Sequence, residues 1–339
     1  MINFYQEKND WPGLFVACRQ SDKVKPGIVR FNGFVFARRL FAFNLHLPYI
    51  YPMSKKTIRV GGVPEHFNLP IHLAHERGDF HSRGIEIAWT DFKGGTGQMT
   101  EALRTGTVDV CILLTEGIIK AIIAGSPSKI ISNYVTSPLI WGVHTAADNP
   151  LTNYRDVFSR QYAISRLGSG SHLMAIVDAN SKDQQLTADQ FTVVRNLDGA
   201  LDSLTKQETD VFYWEKYTTK PFVTDGQLKR IGEFLTPWPC FVVAATDEVL
   251  KSQPENIIRL LRTLHDSCDQ FMQDEGAIAT VSDRYGLTLD DATRWYHSTE
   301  WAIHGWVSDK MLKSVVYSLR SAGIITPEEV VPELVWKRN

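Results

Sequence analysis

Two short stretches carry residues suited to holding a charged small molecule. Gly94-Gly-Thr-Gly-Gln98 sets glycines and a threonine at the entry of a segment in which Met99, Ala102 and Leu103 recur at helical spacing. Backbone N–H groups at such a helix start can donate outward, so the loop suits a carboxylate, sulfonate or phosphate oxygen. The plainer alternative is a glycine turn capped by Thr96. The loop has neither the Gly-Lys-Ser/Thr ending of a P-loop nor the GxGxxG of a dinucleotide fold. Gly168-Ser-Gly-Ser-His172 opens a second helix in the same way, with Ser169 or Ser171 as cap and hydroxyl donor. Gly95, Thr96, Gln98, Ser169, Gly170 and Ser171 are therefore candidate ligand contacts.

Pro64-Glu65-His66-Phe67 follows the first strand, at the carboxyl end where open α/β sheets place ligand-contacting loops. Glu65 or His66 would suit an amino or heteroaromatic nitrogen; the alternative is a helix-entry turn with solvated polar groups. Thr115 and Glu116 end another strand in a similar place. Trp214 and Trp238 are the aromatic candidates for stacking on a flat ligand, with core or hinge packing as their commoner use. Tyr213 and Glu215 flank Trp214 and point to the opposite face of a strand. No metal is expected: His72 and His75 lie three apart, without the i, i+4 pair and glutamate or the cysteines of a zinc site. Ser171 and His172 are neighbours in sequence, which does not make a catalytic triad, and no G-x-S-x-G elbow occurs. The late cluster of Trp295, His297, Trp301, His304 and Trp306 reads as helix packing against the first lobe.

The elements that must position these residues alternate. Strands are expected over 58–60, 85–92, 108–114, 129–135 and 140–144, with helices over 69–77, around 99–103 and over 116–124. After a polar stretch the rhythm restarts with strands over 162–165, 191–194 and 211–214, helices over 171–179 and 198–204, and a strand over 241–245. Everything after that reads as helical. Ser252 with Glu255 forms a capping-box pattern ahead of Ile257, Leu261, Leu264, Cys268 and Phe271 on one helix face, and Thr326-Pro-Glu-Glu329 repeats the cap at a last helix.

With 36 Lys and Arg against 38 Asp and Glu, the 339-residue chain has no basic excess, which argues against nucleic acid as a partner. Cys18, Cys111, Cys240 and Cys268 show no CxxC or metal spacing; Cys111 and Cys268 sit in apolar patterns and are expected as buried thiols rather than disulfides, which suits a reducing compartment. Residues 1–52 read differently from the rest, basic and aromatic without a clear period. They are expected to be a targeting segment, a disordered extension or a non-native start ahead of Met53; Arg38-Arg39 before an interrupted apolar run fits a signal poorly.

Six pieces in order carry a family resemblance: Arg59-Val-Gly-Gly-Val-Pro-Glu-His-Phe67, Gly94-Gly-Thr-Gly-Gln-Met99 with Ala102-Leu103 and Gly106-Thr-Val-Asp109, Leu114-Thr-Glu-Gly117, Ser165-Arg-Leu-Gly-Ser-Gly-Ser-His172, Asp210-Val-Phe-Tyr-Trp-Glu215 and Thr236-Pro-Trp-Pro-Cys240. The chain resembles the type II periplasmic binding proteins, in particular the nitrate, sulfonate and thiamine-pyrimidine solute-binding group and its bacterial and fungal homologues without an obvious secretion signal. That resemblance implies an α/β, two-lobed fold with a ligand cleft between lobes and a helical C-terminal region. Residues 53–144 and 240–339 would form lobe 1 and 145–239 lobe 2, with crossings near 143–145 and 237–241. It implies a non-catalytic solute-binding protein of the ABC-transporter substrate-binding type, closing around a small polar, anionic or heteroaromatic ligand, with the two glycine loops facing one cleft. No cofactor is expected. The partners expected are the small molecule and, if the chain is exported, an ABC permease; the chain is expected as a cytoplasmic monomer, or periplasmic if the segment before Met53 acts as a signal. The alternatives are a pyridoxal-phosphate-using enzyme like the thiamine-pyrimidine synthases, whose clustered cysteines this chain lacks, and an interaction module that has lost its ligand.

Overall fold

The computed structural model describes residues 57–337. The segment 1–52, Cys18 and the Met53 start lie outside the described residues. Among those described, ten strands occur: β1 (Thr57–Gly62), β2 (Glu86–Asp91), β3 (Val110–Leu114), β4 (Ser128–Val135), β5 (Ile140–Ala146), β6 (Tyr162–Ile164), β7 (Phe191–Val193), β8 (Val211–Glu215), β9 (Leu228–Leu235) and β10 (Phe241–Thr246). β3 is apolar at every position and buried at every position, as a strand covered on both faces must be. It sits at the centre of a first sheet ordered β2-β1-β3-β10-β4. There β1 pairs in parallel with β2 and β3, and β10 runs antiparallel between β3 and β4. The second sheet is ordered β7-β6-β8-β5-β9, with β6 parallel to β7 and β8, and β5 antiparallel to β8 and β9.

The chain passes between the sheets twice. The first passage, expected at 143–145, lies instead at 136–139, because β5 hydrogen-bonds along its whole length in the second sheet. Lobe 2 therefore begins at β5 rather than at residue 145. The return runs through 236–240, and the two passages bond to each other. Thr236 N–H donates to Leu139 O at 3.0 Å, Cys240 N–H to Ser137 O at 3.2 Å, and the Trp141 indole to the Thr236 hydroxyl at 2.9 Å. These two passages are the chain connections between the lobes.

Helices cover the sheets where apolar spacing demands it. The helix Pro254–Gln273 buries Ile257, Leu261, Leu264, Cys268 and Phe271, and its Ser267 hydroxyl donates to Pro70 O at 2.7 Å, fixing it against the helix Leu69–Glu76. Its N-cap is Gln253 and not Ser252, which closes the short helix Asp247–Ser252. Thr326 to Glu329 forms only a turn, with Thr326 N–H donating to the Glu329 carboxylate. The Val-Val-Pro that follows disfavours helix. Trp295 and Trp301 are buried against the first sheet, the Trp301 indole donating to Phe67 O at 3.0 Å, whereas Trp306 stands exposed. Cys111, Cys240 and Cys268 are free and buried. Among the described residues no helix is long and apolar enough to cross a membrane.

In the second lobe the helix Gly170–Asn180 lies on β8, and its Asp178, wholly buried, is the polar centre of the packing. The Tyr213 hydroxyl donates to it at 2.6 Å, and the Tyr154 hydroxyl and the Lys182 ammonium complete its partners.

Candidate functional site

Both glycine loops end on the same space. The helix Thr96–Arg104 starts after Gly95, whose φ of 67° only glycine adopts readily, and no side chain caps it. The helix Gly170–Asn180 starts after Ser169, with Gly168 at φ 74° behind it. In each, the first two N–H groups, on Thr96 and Gly97 and on Gly170 and Ser171, have no carbonyl within their own helix. The two helix starts belong to different lobes and meet across a cleft that both of them line. Arg166 spans it: from the second lobe its Nη1 donates to Gly94 O in the first at 2.7 Å. Two helix N-termini and one guanidinium give this wall a positive potential.

Close packing at the wall explains its glycines. A Cβ on Gly170 would lie 2.6 Å from the Trp141 ring and 2.8 Å from a Leu114 methyl of the facing lobe, and one on Gly97 would lie 1.8 Å from Arg166 Nε. The serines work within the loop. Ser171 Oγ accepts the Ser165 N–H at 3.0 Å and lies 3.0 Å from Ser169 Oγ, which in turn accepts the His172 N–H.

Acids enter the same cleft. Glu65 comes from the first lobe and Glu215, 4% exposed, from the carboxyl end of β8 in the second. Glu215 Oε2 accepts the Tyr217 and Thr218 N–H groups at 2.9 and 2.6 Å. Burial nevertheless pushes its carboxyl up to about 7. Glu65 keeps part of its surface open to the cleft, yet lies deep enough among protein atoms that burial, with Glu215 adding, pushes its carboxyl up to about 8. His66 is 3% exposed, stacks on Trp295 at 4.3 Å, and is held neutral by burial, its pKa down at about 3.

Of the residues expected to contact ligand, Glu65, Gly95, Thr96, Ser169, Gly170, Ser171 and Trp214 line the cleft. The others lie elsewhere, each for a reason visible in its bonds. His66 faces an adjoining pocket with Tyr217 and Tyr285. Phe67 is core, packed on Phe241 and Trp295. The Gln98 amide turns back to accept the Gly94 N–H at 3.0 Å and braces the loop. Thr115, Glu116 and Trp238 form a buried joint at the return passage: the Thr115 hydroxyl donates to Pro239 O at 2.6 Å and the Trp238 indole to Glu116 Oε2 at 2.9 Å. Burial pushes the Glu116 carboxyl up to about 7, and its Oε1 has no partner. The Trp214 ring, although it reaches the cleft wall, stacks on Phe212 at 5.2 Å in the small apolar cluster of the second lobe.

Arg166, Trp141 and Glu215 complete the cleft and were not among the expected contacts. The signal for two of them was present. Arg166 and Glu215 sit at the carboxyl ends of β6 and β8, the same rule that selected Glu65.

This fold is the two-lobed fold of the type II periplasmic binding proteins. Residues 141–234, most of the second lobe, match the family described as Ca3427-like PBP. The chain is similar to the Candida albicans CA3427 gene product, at 24% identity over 84% of this chain and 98% of that one, with a TM-score of 0.77. It is also similar to the alkanesulfonate-binding protein SsuA of Xanthomonas axonopodis pv. citri bound to MOPS, at 15% identity over 84% and 99% with a TM-score of 0.70. The periplasmic aliphatic sulphonate binding protein SsuA of Escherichia coli follows at 16% identity over 84% and 94%, TM-score 0.61. No curated protein matches the chain by sequence. The two SsuA structures are described as binding proteins and the Candida product as having the periplasmic binding protein fold, and the likeness of this chain to them is one of fold.

Proposed function

We propose that this protein binds a small organic acid, sulfonate or carboxylate, in the cleft and closes its lobes around it without changing it chemically. The convergence of two helix N-termini from opposite lobes with Arg166 on one space carries this reading. An anion there bonds to both lobes at once, so it stabilises the closed arrangement over any in which they part. Trp141 and Phe241 supply apolar wall for the ligand's carbon skeleton. That two of the similar structures are sulfonate-binding proteins fits the same chemistry. One chain furnishes both walls, so a monomer suffices. In the cytoplasm, where buried free thiols are at home, the closed form acts as a carrier or sensor; in an exported chain it is the form offered to an ABC permease.

The test is calorimetry and thermal shift on the full chain with butanesulfonate and pentanoate. At a hundred times its dissociation constant a ligand adds about 2.7 kcal/mol of stability, enough to raise the midpoint by several degrees. Folded protein that responds to neither anion would refute the reading.

A further inference from the structure

The positive wall accounts for only half of the cleft's chemistry. Glu65 and Glu215 enter from opposite lobes, and neither carboxyl has a lysine or arginine within ion-pair distance among the described residues. Glu215, 4% exposed, is met by its own loop, the Tyr217 and Thr218 N–H groups donating to Oε2, and those donors bring no full positive charge. Lys216, its neighbour in sequence, pairs instead with Glu233 at 2.9 Å. Among the described residues His66 is the basic side chain within ion-pair distance of Glu215, its Nε2 3.8 Å from Oε2. It cannot balance the two acids. Its ring lies flat on Trp295, both ring nitrogens lack partners, and burial keeps it neutral.

A buried acid without a counter-charge is costly, and proteins ordinarily complete such groups internally. Asp178 in the same chain is completed, by two tyrosines and a lysine. Burial raises the pKa of both cleft acids, and at Glu65 the nearby Glu215 adds to it. We infer that the cleft takes a zwitterion, whose anionic group rests on the paired helix N-termini and whose protonated amine is received by Glu65 and Glu215. This rests on the anion reading above and narrows it. An ammonium donates up to three hydrogen bonds, enough for both carboxylates together. Since the acids come from different lobes, the amine ties the lobes as the anion does.

The experiment compares 3-aminopropanesulfonate with butanesulfonate, which differ only by an ammonium in place of a methyl, in calorimetric titrations of the full chain at pH 8. The amino compound is expected to bind at least about tenfold more tightly, the scale of one charge-assisted hydrogen bond. Glu65→Gln and Glu215→Gln should each bring the ratio towards one. The amide oxygen introduced by Glu215→Gln would still accept the Tyr217 and Thr218 N–H groups, so the fold is retained, and Glu248→Gln, exposed and outside the cleft, should leave the ratio as it is. If butanesulfonate binds as well or better, the glutamates serve as protonated donors or as a lobe contact, and the zwitterion is overturned while the anion reading stands. A ratio that survives both glutamine variants overturns it as well. Binding of neither compound removes the anion reading and the inference with it.

Discussion

Asp178 in the second lobe and the Glu65–Glu215 pair in the cleft are all carboxyls withdrawn from water, and the protein treats them in opposite ways. Asp178 has no exposed surface and is met by Tyr154, Tyr213 and Lys182, so its charge is balanced and its oxygens are used up inside one lobe. Such a network fixes a helix to a strand and offers nothing to a ligand. Glu65 and Glu215 lie between lobes, have no lysine or arginine paired to them among the described residues, and face a cleft whose other wall is positive. The contrast teaches how to separate structural from functional burial in this chain. What matters is whether the group's charge and hydrogen-bonding capacity close within the protein.

The sharpest way to break that contrast is Asp178→Ala. It leaves the buried Tyr213 hydroxyl without its acceptor and takes the partner from the half-buried Tyr154 and Lys182, and a loss of about 2–4 kcal/mol is expected from urea unfolding. A loss under about 1 kcal/mol would mean that the network is not structural after all. Titrating stability against pH probes the other side. Glu65 and Glu215 are raised from 4.5 to about 8 and about 7, so between pH 4.5 and 8 the folded state holds more protons than the unfolded one. Their contribution is complete below pH 4.5 and is lost as pH rises through 7 and 8. The expected decline is on the order of 2 kcal/mol, below the full linkage value because Glu65 is partly open to water. Glu65→Gln should flatten the curve between pH 7 and 8, where Glu65 alone of the two still titrates; a curve unchanged by it would detach the titration from the cleft.

The strand and helix rhythm was legible because each element here answers to burial on one face or two. β3 and the face of Pro254–Gln273 show this directly. β9 was not legible. Lys229, Arg230, Gly232 and Glu233 interrupt its apolar pattern, as suits an edge strand that must resist further pairing. The first passage was misplaced for a related reason: β4 and β5 are both buried along nearly their whole length, and only pairing, which is non-local, assigns them to different sheets. Within the site, the glycine loops were readable because helix N-termini leave donors by geometry. Thr115, Glu116 and Trp238 occupy the same kind of position in sequence, yet Thr115 bonds to Pro239 and Trp238 to Glu116 at the joint behind the cleft. Sequence shows which groups are polar, and the partner that satisfies them is a tertiary fact.

The smallest expected effect tests the positive wall. Arg166→Gln removes the bond to Gly94 O and the only guanidinium among the residues lining the cleft. Butanesulfonate affinity should fall about tenfold, or about 1.4 kcal/mol, in calorimetry, with stability changed by less, since a single interlobe bond is lost from a half-buried side chain. Gly97→Ala should follow it at reduced size. The added methyl meets Arg166 Nε at 1.8 Å, so the guanidinium must move off its bond, although a flexible arginine can find a new place nearby. If Arg166→Gln binds the anion as the parent does, the wall's potential comes from the helix ends alone. The lobes are then joined by the ligand and the hinge passages, without the arginine.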